Sequence, residues 1–271
     1  MKFCKNLQRV VDVSDPEWAP FWVNYKMLKK IINEIPTDVS APPPSSTLTP
    51  TPPHVLPSHM NQVPAEVAFF KFLVAELQKC GSFFADALSQ YEIRHKRLQQ
   101  SFGHCATNPG AQMVENRWSL LSKSVHSFYK DLLLLESYAL MTYCGFCKIL
   151  KKHDKVTGHT TKEAFITNKV APANFNNYDT SLLIMIQETK SLYAKVGSEL
   201  TLTQERCDDH KDTEVFIDMI QSINSQIGED VKLEQSLMSP NRSNSNSNSN
   251  SNSNINSNSN SNSKRKFDPH N

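Results

Sequence analysis

The chain is expected to fold as an all-α bundle, with an N-terminal helical hairpin packed on a long antiparallel helix pair. Three observations carry this expectation. Apolar residues recur at steps of three and four nearly everywhere outside two low-complexity segments, the spacing of a helix with one buried face. No alternating strand pattern of useful length occurs. Hydrophobic residues make up 38% of 271 positions, too few for a chain folded throughout, and the two low-complexity segments account for the deficit.

The first helix carries Phe3, Leu7, Val10 and Val11 on one face. "SDPEW" then starts another, with Ser14 or Asp15 as cap, Pro16 in the first turn and Glu17 favourable to the dipole. It or a continuation runs through YKMLKKIINEI and stops before Pro36. Residues 36–64 hold nine of the fifteen prolines and read as a flexible insertion. In 67–98, Phe70, Leu73, Leu77, Cys80, Phe84, Ala87, Tyr91 and Leu98 form a seam in which Arg94 is the polar exception. The Gly, Asn and Pro of 101–113 predict a turn, so the next seam folds back antiparallel. That seam runs through Trp118, Leu121, Val125, Phe128, Leu132, Leu135, Ala139, Phe146 and Ile149, with Thr142 as its exception. Thr157-Gly158 is expected to end this helix. Shorter helices are expected over 162–170, 179–197 and roughly 203–227. Trp18, Phe21, Trp22 and the run Leu132–Leu135 read as core. Residues 243–263 alternate serine and asparagine, broken by Ile255, and are expected to be disordered.

Charge excludes several functions and suggests one. The formal net charge of +2 conceals patches of opposite sign. Residues 199–236 carry ten acids against three bases, whereas "GFCKILKKHDK" (145–155) holds four lysines. On a helix Lys148, Lys151, Lys152 and Lys155 fall within about 100° of arc, opposite Phe146, Ile149 and Leu150. Lys26, Lys29 and Lys30 share another arc, one turn after Tyr25, in a stretch (18–33) without a single acid. A solvated face ordinarily interleaves acids and bases. Two unmixed stripes suit a polyanion, and lysine is the flexible point charge for exposed phosphates.

No Gly-rich phosphate loop or nucleophile elbow is present, so no catalytic residue is expected. Cys144 and Cys147 of "CGFC" lie inside a helical seam rather than at a helix N-terminus, which argues against thiol redox chemistry. No second CxxC or HxxxH exists, and His153 and His159 are loosely placed, so no metal or cofactor is expected. No run of eighteen apolar residues occurs, and the N-terminus lacks a signal peptide's apolar core. The six cysteines are then expected as reduced thiols, and the protein in the nucleus, the cytoplasm or both. Lys264-Arg265-Lys266 is a short candidate import signal.

Taken together, these residues resemble a known family, the SPX domain. MKFCKNLQ…PEW…YKMLKKII resembles its N-terminal pattern, LESYALMTYCGFCKILKKHDKVTG its central block, and LLIMIQETKSLYAKV its closing helix. Cys4 stands where glycine is usual in the family, and Thr142 where asparagine is. The resemblance implies residues 1–200 as an SPX domain with the insertion 36–64, 201–236 as an acidic helical extension, and 237–271 as a disordered Ser/Asn-rich tail. It implies a phosphate-status sensor that binds inositol polyphosphates or pyrophosphates through Lys2, Tyr25, Lys29, Lys148, Lys151, Lys152 and Lys155. Because only an acidic stretch and the tail come after residue 200, it resembles a stand-alone SPX protein whose partner is a MYB-type phosphate-starvation transcription factor. The alternative is an accessory subunit of a polyphosphate polymerase or phosphate transporter. Direct nucleic-acid binding is disfavoured, since no stacking aromatics interleave with the lysines of 148–155.

Overall fold

The computed structural model describes residues 3–36, 64–107, 114–173, 181–202 and 211–238. The proline-rich insertion from residue 37 onward, Lys2, and the tail from Ser239 lie outside the described residues. Among the described residues there is no strand; the elements are α1 (Phe3–Val13), α2 (Tyr25–Asn33), α3 (Pro64–Thr107), α4 (Val114–Thr157), α5 (Lys162–Phe165), α6 (Ser181–Leu202) and α7 (Lys211–Met238). The all-α expectation holds.

The N-terminal region departs from a simple hairpin. α1 buries Phe3, Leu7 and Val10, one stripe at helical spacing. Ser14 closes α1 instead of opening the next element: its N–H and hydroxyl donate to Val10 O (2.9 Å) and Val11 O (2.8 Å). Asp15 is the cap, accepting from the Glu17 amide at 2.9 Å. It opens a 3₁₀ turn, Pro16–Phe21, that does not continue into the lysine helix. Pro20 has no N–H to extend it, and the chain straightens at Trp22 (φ −62°, ψ 145°). α2 restarts with Asn24 accepting from the Met27 amide at 3.1 Å.

That break would leave polar backbone inside the protein, and side chains of the long helices satisfy it. Tyr138 donates to Phe21 O at 2.9 Å, Lys79 donates to Trp22 O at 3.0 Å, and Glu76 accepts from the Asn24 amide at 2.6 Å. Trp22 itself is buried and Trp18 packs on the core, but Phe21 is 38% exposed, stacked on Phe83, and is not a core residue.

The long pair is antiparallel, since the start of α3 meets the end of α4 (Phe69 stacked on His153) and its end meets the beginning (Phe102 on Trp118). α3 runs through residues 101–107, where a turn was expected; residues 108–113 are outside the described set. Arg94, the exception in the apolar seam, bonds to Asp131 at 2.7 Å and lies over the Phe128 ring at 5.0 Å. α4 is the hub: it packs against α1, α2, α3, α6 and α7. Although it holds no unbroken run of eighteen apolar residues, Arg117–Thr157 contains an 18-residue window with mean hydropathy sufficient to cross a bilayer, and 89% of that window is buried in the bundle. Its apolar surface is the core; Leu132 to Leu135 and even Thr142 are at most 4% exposed. Gly158, at φ 74°, ends α4 by donating to Asp154 O at 2.9 Å.

α6 turns Leu182, Met185, Leu192, Val196 and Leu200 inward. α7 extends to Met238, well past the expected end near residue 227, because Ile220, Ile223, Ile227 and Val231 keep a buried stripe going. Asn224 pins it to α4, donating to Leu133 O (3.0 Å) and Glu136 Oε2 (2.8 Å) and accepting from the Ser137 hydroxyl.

Gly145 sets how closely α1 and the Trp22–Val23 segment approach α4. A Cβ there would stand 3.2 Å from Val23 Cγ1 and 3.6 Å from Phe3 Cζ. Gly145→Val is expected to cost about 1–3 kcal/mol through overpacking, read as a lower urea midpoint. Tyr138→Phe, which leaves the Phe21 carbonyl only the weaker Cys80 thiol donor at 3.3 Å, should cost about 1 kcal/mol with helical circular dichroism unchanged. A midpoint equal to wild type for Tyr138→Phe would show that the Cys80 thiol or water suffices for the Phe21 carbonyl.

Candidate functional site

α2 and α4 meet so that their lysine stripes share one side of the bundle. Leu28 and Ile32, both fully buried, face α2 inward and leave Lys26, Lys29 and Lys30 exposed. The contact between the stripes is specific. Lys152 Nζ donates to Asn33 Oδ1 (2.5 Å) and lies 3.4 Å from the Lys29 carbonyl oxygen. Partial burial first, and the Lys29 charge second, lower the pKa of Lys152. Lys152 is thus held against α2 by neutral acceptors, with no described carboxylate bonded to it.

The other expected residues divide into two groups. Lys151 and Lys155 are exposed on α4. Lys148 is half-buried and leans toward α7, 3.5 Å from Asp230 Oδ2, with its Nζ 5.6 Å from the centre of the Phe3 ring. Tyr25 is buried, edge-on to Phe3 at 5.1 Å between ring centres, and burial raises its pKa, with a smaller contribution from Cys4. Its ring is as much a packing element as a polar one. Lys2 lies outside the described residues.

Sequence reasoning missed the residues that answer these lysines. Asn33 follows Lys29 by one helical turn, so its place on the stripe was readable. Asp230 and Glu234 were counted among the acids of 199–236, yet nothing in their spacing shows that α7 lies along α4 with these two carboxylates beside the lysine-rich turn. Glu234 accepts from Lys162 Nζ. Burial pushes Glu234 up, but Lys162, then Lys151 and Lys148, outweigh it and hold the carboxyl below its usual range. A cleft between α1, α4 and α7 is lined by Phe3, Asn6, Cys144, Lys148, Ile227 and Asp230.

The thiols of "CGFC" are buried mid-helix, as expected. Burial pushes Cys144 up to about 12 and Cys147 to about 11, despite Lys148 and Lys162 nearby. Neither is a thiolate nucleophile at neutral pH. A different cluster forms at the end of α4: Glu66, in the first turn of α3, meets His153 and His159. Nε2 of His153 is 3.2 Å from Glu66 Oε1, and Nδ1 of His159 is 3.0 Å from the same oxygen.

An all-α bundle with lysines of an N-terminal helix and of its central helix on one side defines a class: a helical module with a basic face. A family model described as the SPX domain matches residues 112–169. SPX domain-containing protein 1 of Arabidopsis thaliana is 30% identical over 216 residues, covering 78% of each chain. SPX domain-containing protein 6 of Oryza sativa subsp. japonica is 33% identical over 158 residues, 58% of this chain and 55% of the rice protein. For SPX domain-containing protein 5 of Oryza sativa subsp. indica the identity is 32%, covering 58% of this chain and 53% of that protein. The chain thus spans about half the length of these two rice relatives. The solved SPX domain of Chaetomium thermophilum glycerophosphodiester phosphodiesterase 1, in complex with inositol hexakisphosphate, superposes with a TM-score of 0.56 at 26% identity. That match covers 73% of this chain and 99% of the other. The chain belongs to the SPX domain family.

Because Glu234 has a depressed pKa in the fold, its contribution to stability is present above the unfolded value of 4.5 and is lost as pH falls through the lower folded value. Glu234→Gln should flatten that acid-side loss, measured as urea midpoints between about pH 6 and about pH 3. An acid limb identical to wild type would remove Glu234 from the docking of α7.

Proposed function

We propose that this protein senses phosphate status by binding an inositol polyphosphate or pyrophosphate on the α2–α4 basic face, and that it acts as a regulatory binding module, not an enzyme. The observation that carries the reading is the docking of Lys152 onto Asn33 and the Lys29 backbone of α2, which joins the two lysine stripes, with Lys151 and Lys155 exposed alongside. A multiply phosphorylated ring neutralises several such lysines at once, and the complex of a related SPX domain with inositol hexakisphosphate supports that ligand class. Lys148, Tyr25 and Lys2 belong to the proposed site. Lys148 joins by leaving Asp230, and Tyr25 at the edge of α2 by its hydroxyl.

The liganded face then recognises a protein partner, which we assign as a MYB-type transcription factor, in the nucleus or cytoplasm. Family membership and the relatives named as SPX domain-containing proteins support a regulatory role of this kind. Pull-down with and without inositol hexakisphosphate tests it: ligand-dependent recovery of a DNA-binding factor is expected. Recovery of membrane transporters or a polymerase instead would overturn the partner assignment.

Lys151 and Lys155 give the cleanest test of the ligand, because neither makes a described hydrogen bond or ion pair and Lys151 acts on Glu234 only as a secondary charge behind Lys162. The double variant Lys151→Ala/Lys155→Ala should bind inositol hexakisphosphate at least tenfold more weakly by calorimetry, about 1.4 kcal/mol, with an unchanged melting temperature. Asp230→Asn releases Lys148 and should tighten binding by up to about fivefold, in keeping with a half-exposed ion pair worth about 1 kcal/mol or less. Undiminished affinity in a folded double variant would sink the site. Both effects should shrink with added salt, since charges at the surface are screened over about 8–10 Å.

A further inference from the structure

We propose that Glu66, His153 and His159 form a site for a divalent transition metal of the zinc type, clasping the first turn of α3 to the end of α4. The three ligand atoms come from positions far apart in sequence and lie within 4.8 Å of one another. With metal–ligand bonds of about 2.0 Å, a tetrahedral site sets its ligand atoms about 3.3 Å apart. The two nitrogens stand 3.2 Å and 3.0 Å from Glu66 Oε1, close to that spacing. Two imidazoles and one carboxylate are a donor set that zinc accepts, with a fourth position left for water.

The surroundings of His153 point the same way. Its ring is fully buried and stacked flat on Phe69, 4.8 Å between centres, so its orientation is fixed. Nδ1 lies 3.2 Å from Asp154 Oδ1, and Asp154 is in turn held by the Thr161 hydroxyl (2.5 Å) and the Lys162 amide (2.9 Å). A carboxylate only accepts, so with Nδ1 carrying a hydrogen toward Asp154 the ring can present a lone pair at Nε2. That lone pair faces Glu66 Oε1, itself an acceptor. A proton or a metal ion can stand between them. A metal ion fits best, because a second imidazole is already in reach and His159, its side chain 39% exposed, opens the site to solvent. A carboxylate behind the ligating histidine is also the usual outer support of a zinc site.

The site is distinct from the basic face, for His153 points into the bundle while Lys152 and Lys155 do not. Its effect is to fix the turn after α4 and the start of α3, where the proline-rich insertion ends.

Calorimetric titration of the full chain with Zn²⁺, and with Mg²⁺ as the hard-cation control, tests the proposal. One Zn²⁺ per chain is expected, with no Mg²⁺ binding and a higher melting temperature in the zinc-loaded protein. His159→Ala should weaken Zn²⁺ binding at least tenfold, and so should His153→Phe, which keeps the flat ring against Phe69. Co²⁺ in the wild-type chain should give the visible bands of a four-coordinate nitrogen–oxygen site, and this spectrum decides the matter if either variant fails to fold. Absence of saturable Zn²⁺ binding, affinity unchanged in folded variants, or a thiolate-to-cobalt band placing the ion on cysteines would each overturn it.

Discussion

The arrangement of the N-terminal region depends on how three backbone groups are paired at one break in the chain. Between the 3₁₀ turn and α2, the carbonyls of Phe21 and Trp22 and the amide of Asn24 enter the protein without helical partners. Tyr138, Lys79 and Glu76 supply those partners. An unpaired buried backbone group costs about 1–3 kcal/mol, so three such groups are comparable with a sizeable part of a domain's net stability of about 5–15 kcal/mol. The pairing also fixes register. With Asn24 held to α3, Leu28 and Ile32 enter the core and Lys29 stands beside Lys152. The position of the lysines on α2 therefore derives from hydrogen bonds made several residues earlier.

The basic face is partly answered from within the protein. Lys152 is met by an amide oxygen and a carbonyl, neutral acceptors that orient it without cancelling its charge. Lys148 and Lys162 are met by Asp230 and Glu234 of α7. α7 is held independently of these pairs, by its isoleucine stripe and by Asn224, so the carboxylates can exchange partners without releasing the helix. In the proposed function, α7 sets a threshold that a polyanion must exceed at Lys148, whereas Lys151 and Lys155 are open to it from the start.

The same packing explains why the cysteines of α4 are chemically quiet. α4 is surrounded by other helices, so Cys144 and Cys147 sit where a charged thiolate would be poorly solvated, and both pKa values rise. The exposed end of α4, just beyond, is where polar chemistry accumulates: lysines on one side, and His153 with Glu66 and His159 on the other.

By itself the sequence determined the helical class, the long seams of α3 and α4, the glycine stop at Gly158 and the two lysine stripes. Each of these depends on residues a few positions apart, where helical spacing or one residue's backbone preference is decisive. The end of α7 was readable on the same terms, since Ile227 and Val231 continue the stripe across Gly228. The break before α2 was signalled by Pro20 and by Asn24 as a cap; the spacing could not show that Tyr138, Lys79 and Glu76 would receive the interrupted backbone. Only the tertiary structure decided the pairings across long separations: Lys152 with Asn33, Lys148 with Asp230, Glu66 with both histidines. Those contacts depend on how whole helices are rotated and shifted against one another, and that is set by the summed packing of many side chains, which no local spacing records.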